Sequence, residues 1–522
     1  MSSRSVSARD VTRYLVLVLL LTMPVWAVLT RPGLPATQVG PLPVLQLQAA
    51  EQEPPTYPVE VGGSWRGAGA LHFKLARLMR MTGADALTAI KGSALLAILL
   101  LSAGVFAWAR RLAGPRAGVL AAVLVVFSPV FLSTLFRSGD WPLLWVMAGL
   151  AWAGFGLMSS SRWGLALVAA GAFVATAAHP GLGLWALVGL MLLAVSIRRW
   201  LGIVALLVGA VIGVLLSSPW TGTAMSEVPA RGAGFYQLIE PGWLWGVRTL
   251  SLDTPLSFSF GFALLALLIL AIWSYFQRSE VGDQKSEVGG TNSQFAIRNP
   301  QFLWHLAIGI FFVFFSLEFV AQRLGSVSAI VSAPWHLLLL ALPFLAVAAV
   351  SALRFIPRLQ ETPLWAGLLI IAILGAGPGL SPDFQTYDIP ASPAAIFGDN
   401  QIVLLDLEPE GELQPGATIA LNADWFSSQP VDFDYNIFIH VVDGDGKAVA
   451  QLDAQPQAGE RPMTSWLPGE IISDRYELAI PADASSDLSL RLGLYNWQTG
   501  ERMFVVEGDA DDALELHQDK FK

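Results

Sequence analysis

The chain has 522 residues, is 54% hydrophobic and only 14% charged, and carries a formal net charge of −9. That balance lies outside the range of water-soluble globular proteins. The absence of Cys rules out disulfides, thiolate catalysis and Cys-ligated metals.

The net charge hides two opposite halves. Residues 381–522 hold 7 Lys+Arg against 26 Asp+Glu, a net of −19. Subtraction from the totals of 31 and 40 leaves 24 against 14 for residues 1–380, a net of +10. Lipid-compatible sequence precedes Ser381, and acidic, alternating sequence follows it. No basic patch is interleaved with aromatics, which argues against a nucleic-acid partner.

A spanning helix needs about 20 mostly apolar residues. About eleven segments read as spans: Val11–Leu29, Ile90–Trp108, Gly118–Leu135, Trp141–Leu157, Trp163–Ala178, Leu182–Ile197, Leu201–Ser217, Phe258–Phe276, Phe302–Val320, Trp335–Leu353 and Pro363–Leu380. The two around His179-Pro180-Gly181 also read as one broken hairpin. The basic start and apolar core of the N-terminus resemble a signal peptide, but no small-x-small site follows Trp26, so the segment reads as an uncleaved first span.

Lys/Arg bias sets the orientation. With the N-terminus in the cytoplasm, 14 Lys/Arg fall inside and 10 outside. Six of the outer ones crowd at a first external loop, 30–89: Arg31, Arg66, Lys74, Arg77 and Arg80 within it and Lys91 just past its end. The polar stretch 277–301 reads as a cytoplasmic linker. An odd number of spans then puts everything after residue 380 outside.

The first external loop opens with Arg31-Pro32-Gly33-Leu34-Pro35, carries Glu51, Glu53 and Glu60, and passes through Gly62-Gly63-Ser64-Trp65-Arg66-Gly67 to Ala70–Met81. That last stretch predicts an interfacial helix with Leu71, Leu75, Leu78 and Met79 on one face and Lys74, Arg77 and Arg80 on the other. Its basic face suits anionic headgroups in general or one lipid phosphate in particular. Two readings stand for the three acids: a solvated acidic loop, or a reactive carboxylate.

Further on, Arg137 and Asp140 stand at the external ends of the third and fourth spans, where a charge is either paired or functional. His179-Pro180 reads as a helix-ending turn or a site residue. Glu318 and Arg323 lie near an external helix end and are read as a pair. His72 and His305 read as packing residues. No metal-ligand spacing, P-loop or dinucleotide fingerprint is present.

After a linker, 381–395, residues 396–522 read as a β-sandwich. Strands are predicted at Thr418–Phe426, Tyr435–Asp443, Lys447–Asp453, Arg475–Ile480, Ser489–Asn496 and Arg502–Val506, with a hairpin turn at Gly444-Asp445-Gly446. That Asp-rich turn lacks the EF-hand pattern. Trp425, Trp466, Tyr495 and Trp497 are either core residues or stacking surfaces for glycan.

In order along the chain, several motifs resemble the GT-C superfamily of polyprenyl-phosphate-sugar-dependent glycosyltransferases, and more closely the bacterial pyruvoyl-tetrahydropterin-synthase-related membrane proteins. They are Arg31–Pro35, Tyr57-Pro58, Ala109–Gly118, Ser128-Pro129, Phe136–Asp140, Trp245-Gly246, Ser257–Gly261 and Pro334-Trp335-His336. The C-terminal part resembles sandwich domains appended to such proteins, on Phe438-Ile439-His440, Asp453, Pro456, Pro462–Trp466, Pro468-Gly469-Glu470 and Gly493-Leu494-Tyr495.

The resemblance implies a multi-pass GT-C-like fold in the bacterial inner membrane. It implies sugar transfer from a polyprenyl-phosphate donor to a glycan or lipid acceptor in envelope assembly, or a catalytically degenerate scaffold for lipid-linked glycans. It implies a first-loop carboxylate just after Pro35, where this chain has Ala36-Thr37-Gln38-Val39-Gly40. The catalytic candidates are therefore Glu60, Asp140, Glu51 and Glu53. The candidates for phosphate contact are Arg66, Arg137, His179, Arg323 and His336. A divalent cation, Mg or Mn, is the one cofactor implied.

Overall fold

The computed structural model describes residues 8–37, 43–44, 47, 70–217, 233–239, 256–286, 300–324, 333–385, 393–398, 402–427, 431, 433–466, 470–505 and 512–521. Two compact units emerge, one helical and reaching Gln385, the other built on strands after Thr386.

The helical unit starts with α1 (Ala8–Trp26), β1 (Leu34–Pro35) and α2 (Ala70–Arg80). Then come α3 (Ala86–Ala113), α4 (Pro115–Val126), α5 (Pro129–Ser133), α6 (Pro142–Leu157), α7 (Arg162–Ala178), α8 (Pro180–Ser196) and α9 (Trp200–Ser217). The short α10 (Phe235–Ile239) precedes α11 (Phe262–Ser286), α12 (Pro300–Ser316), α13 (Glu318–Leu324), α14 (Leu337–Ala349), α15 (Ala352–Phe355) and α16 (Thr362–Leu374).

Among the described residues three helices are long and apolar enough to cross a membrane: Arg9–Thr30, Ala86–Ala113 and Pro334–Phe355. The pair Pro115–Val126 and Pro129–Ser138, bent by 45°, is long and apolar enough only if taken together, as a broken span or a re-entrant loop. Seven more apolar helices are shorter, at 10–17 residues.

The bend corrects the straight span expected over Gly118–Leu135. Pro129 lacks an N–H and biases Ser128 away from the helical region; Ser128 is extended, with ψ 136°. At His179 the chain also breaks into two helices: His179 ends α7 and its Nδ1 accepts from Leu182 N at 3.0 Å, capping α8. Local capping fixes α3 as well, where Asp85 Oδ1 accepts from Thr88 N at 2.8 Å. Small residues let α6 and α7 touch. A Cβ at Gly149 would come within 2.5 Å of Gly171 O, the close approach that glycine permits between apolar helices.

The basic helix α2 is present, but its faces are rotated from the expectation. His72 and Ala76 are its buried residues, while Leu78 is 58% exposed. Packing on α3 decides this: Ser93 on α3 binds His72 through Nδ1 at 3.0 Å and the carbonyl at 3.1 Å.

The second unit is two antiparallel four-stranded sheets, ordered β10-β9-β6-β7 and β3-β4-β5-β8. The strands are β3 (Ala395–Phe397), β4 (Ile402–Glu410), β5 (Thr418–Ser427), β6 (Asn436–Asp443), β7 (Ala448–Ala454), β8 (Ile472–Ala479), β9 (Leu488–Tyr495) and β10 (Leu514–His517). Between them lies a core that includes Phe397, Leu404, Trp425, Ile439 and Leu492.

The sequence reading had no strand for β3, β4 or β10. The strand expected at Arg502–Val506 appears, among the described residues, as isolated bridges from Tyr495 to Arg502 and from Phe397 to Val505. Pro409 explains the omission of β4, because proline argues against a central strand. β3 pairs only with Ile402–Leu404, so β4 is already an edge strand at Pro409. The aspartate-rich turn uses its own acid: Asp443 Oδ1 accepts from Asp445 N at 3.1 Å and Lys447 N at 2.9 Å.

Candidate functional site around Asp140

Three sequence segments meet at one place in the helical unit. The first is the end of α5. Residues Thr134–Ser138 form a π-helical turn, closed by Gly139 N donating to Thr134 O at 3.0 Å. Such turns widen a helix and recur at functional positions. Gly139 has φ +83°, a left-handed conformation that favours glycine. This geometry turns the next residue, Asp140, out of the helix.

The second segment is Ser257–Gly261. Ser257 N donates to Ser133 Oγ at 3.0 Å, and Val130 N donates to Ser259 O at 3.0 Å. The third is the turn Pro334–His336, just before α14. Trp335 packs on Phe258 with ring centroids 5.4 Å apart, so the second and third segments also touch.

Asp140 is the acid of this site. Its Oδ2 accepts from Ser138 Oγ at 2.5 Å and lies 3.5 Å from His336 Nε2. The carboxylate side chain is 38% exposed, whereas that of His336 is 7% exposed. Burial raises the pKa of Asp140, but the hydrogen bonds and charge of His336 and the Ser138 hydroxyl outweigh it and hold the carboxyl below its usual range. The carboxylate is thus ionised and partly open.

His179 is buried and within electrostatic reach of Asp140. Burial, with the nearby His336, pushes it down to about 3. It is therefore neutral, and because Nδ1 accepts from Leu182, its proton sits on Nε2.

Arg137 is buried in the π turn. It does not form the ion pair with Asp140 that was one of the two readings; Ser138 and His336 take that role. His336 faces the carboxylate. Arg323 is exposed on α13, with no ion pair to Asp140 among the described residues. Its expected partner Glu318 instead hydrogen-bonds Gln322 at 3.4 Å, one helical turn away. A spacing of five residues puts Glu318 and Arg323 on different sides of a helix. Glu51, Glu53, Glu60 and Arg66 lie outside the described residues.

One structural position has no clear signature in the sequence. Lys91, counted as a loop cation, is buried at the start of α3. Its Nζ donates to the carbonyls of Arg31 and, at 2.8 Å, of Gly33. Phe384 lies against both cations, at 5.9 Å from Arg31 and 5.8 Å from Lys91. Phe384 belongs to β2 (Phe384–Gln385), which pairs with β1, and Ala36 N donates to Asp383 O at 2.8 Å. The Arg31–Pro35 motif is thus a docked strap, pinned by one ammonium. The usable signal was a lysine inside an apolar helix, a costly placement that demands partners.

No family model matches the chain, and no curated protein matches it. Among solved structures it is similar to the apo oligosaccharyltransferase of Archaeoglobus fulgidus, at 12% identity and a TM-score of 0.39. That similarity covers 73% of this chain and 57% of the archaeal one, so the chain spans under two thirds of that protein.

Proposed function

We propose that this chain is a multi-pass membrane glycosyltransferase of GT-C type, nearest to the pyruvoyl-tetrahydropterin-synthase-related membrane proteins. It takes a sugar from a polyprenyl-phosphate donor to a glycan or lipid acceptor during envelope assembly. The observation that carries this reading is the convergence of three of its motif segments on one ionised, partly exposed carboxylate, Asp140.

In this mechanism the acceptor hydroxyl attacks the anomeric carbon, and the bond from that carbon to the phosphate oxygen breaks. The hydroxyl proton passes to Asp140, a general base. The polyprenyl phosphate leaves with the bonding electrons, its charge stabilised by the Arg137 guanidinium. Ser138 and His336 position the carboxylate, and His179 Nε2–H is a donor for a phosphate or sugar oxygen. The proposal retains Glu60, Glu51 and Glu53 as further bases, and Arg66, Arg323 and His336 as phosphate contacts. Mg or Mn would add Lewis-acid charge, but no group of three or more His, Asp or Glu among the described residues could hold it, so no step runs through it.

The membrane is the bacterial inner membrane. The N-terminus and linker 277–301 are cytoplasmic, and loop 30–89, linker 381–395 and sandwich 396–522 are external. A Cys placed at Ser485 in this Cys-free chain should react with an impermeant maleimide from outside; labelling only from the cytoplasmic side would invert the topology.

A second reading, a scaffold that binds lipid-linked glycans without transfer, is favoured by the lack of an acid over Ala36–Gly40. The deciding experiment incubates purified protein with radiolabelled polyprenyl-phosphate hexoses and an envelope lipid extract. Transfer of label supports the enzyme. Binding of the donor without transfer supports the scaffold.

A further inference from the structure

Trp425 and Trp466 are buried in the sandwich core, but Trp497 is 52% exposed. It sits in the turn after β9, and Asn496 fixes that turn. Asn496 Oδ1 accepts from Gln498 N at 2.9 Å and Thr499 N at 3.3 Å, and its carbonyl accepts from Gly500 N at 2.7 Å. A large ring is therefore held in solvent by a rigid turn.

Phe433 lies beside Trp497, with centroids 6.1 Å apart and planes 31° apart, and Tyr435 meets Phe433 edge-on at 5.1 Å. Thr464 N donates to Asp434 Oδ1 at 2.8 Å, which fixes the segment between these two rings.

The next step along the β6–β9 pair is polar. Asn436 stands opposite Tyr495, and its Nδ2 donates to Tyr495 Oη at 3.3 Å. Asn436 Oδ1 is buried without a hydrogen-bond partner among the described residues, so this amide faces inward and fixes the Tyr495 hydroxyl from below. The Arg502 guanidinium lies 4.2 Å over the Phe438 ring and is paired with Asp512 at 2.9 Å. Phe438 fits there because position 493 is glycine, where a Cβ would come within 2.4 Å of the ring.

The exposed, rigid Trp497 ring, with the half-buried Phe433 beside it and a few fixed polar groups, matches a ligand with one apolar face and a hydrogen-bonding edge. A sugar ring has that form: its axial C–H bonds make the apolar face, and its hydroxyls the edge. The net charge of −19 over residues 381–522 repels phosphates, anionic polysaccharides and anionic lipid surfaces. We propose that this end of the sandwich is a binding site for an uncharged oligosaccharide. One sugar ring stacks on Trp497 with Phe433 at its edge, and its hydroxyls are held by Tyr495, which Asn436 orients, and by Arg502. The site stands whether or not the helical unit transfers sugar.

The test uses the full-length protein in nanodiscs and saturation-transfer NMR with three probes: maltoheptaose, cellopentaose and mannopentaose. At least one should receive saturation on its ring C–H protons. Trp497→Ala should weaken that probe about tenfold, as expected for truncating an aromatic anchor, with Trp497→Phe intermediate. Glu477→Gln, on the other sheet, should bind as the parent does. The inference is overturned if no probe is saturated, if Trp497→Ala binds as the parent does, or if a protein partner covers Trp497 and sugar does not displace it.

Discussion

The two units treat buried polarity in opposite ways. Among the described residues, every buried polar or charged side chain except Ser427 belongs to the helical unit. Lys91, Arg137, His179 and His336 are among them. The sandwich core is mostly hydrocarbon, with single buried polar atoms such as Tyr476 Oη and Asn436 Oδ1. Burying a polar group costs free energy unless it is bonded, and several of those in the helical unit are Ser or Thr bonded to a carbonyl of their own helix. The proposed reaction centre lies in the unit that buries charge, and the sandwich owes little of its stability to charge.

Removing core from the sandwich should produce the largest change. Trp425 is fully buried, and Trp425→Ala should cost about 3–5 kcal/mol. Calorimetry of the whole protein should show the sandwich transition shifted or lost and the helical transition in place. A loss of both together would mean that the units are not independent.

A smaller effect is expected from the pin. Lys91→Met strands two backbone carbonyls and should destabilise the Arg31–Pro35 strap by about 1–3 kcal/mol. Limited proteolysis after Arg31 should accelerate in that variant. Unchanged cleavage would show that the strap is held by β1 and β2 alone.

His336→Leu should change pH dependence more than stability. Asp140 loses the partner that favours its charged form, so its pKa rises. The acid limb of the transfer rate then moves to higher pH, with loss near pH 5 and little change at pH 8. A parallel loss at all pH values would mean that the phosphate contact of His336 outweighs its hold on Asp140.

The smallest effect is predicted for the exposed cluster on the sandwich. The hydrogen bond from Asn422, then Arg475, lowers the pKa of Glu410. Any stability it adds is present above the ordinary carboxylate pKa and is lost as pH falls through the lowered value. Solvent screening keeps such pairs weak. Glu410→Gln should leave the melting temperature at pH 7 within scatter, and salt should erase any residue of the effect. A clear shift would break the claim that the sandwich owes little to charge.

The sequence exposes this division because hydropathy and charge change together near Ser381. Each segment read as a span contains an α-helix, although Phe258–Gly261 is non-helical and Gly118–Leu135 breaks at Ser128. Strands with plain alternation, such as β5 and β8, were also legible. Strand β4 was hidden by Pro409, and β10 is only four residues long. Asp140 was legible as a charge at a helix end, but its partners were not. Ser138 becomes a ligand only through the π turn, and His336 arrives from far along the chain. The role of Lys91 was hidden because its acceptors are backbone carbonyls, which carry no sequence signature. Long-range pairings of this kind come from topology, not from local pattern.

The central claim is that Asp140 removes the acceptor proton. Its most direct test is the single-turnover transfer rate of Asp140→Asn, measured beside the parent with donor binding followed in parallel. Loss of a general base lowers rate by about 10²–10⁴-fold. The account predicts a fall of that size with donor binding retained. A variant that transfers sugar at the parental rate would contradict it.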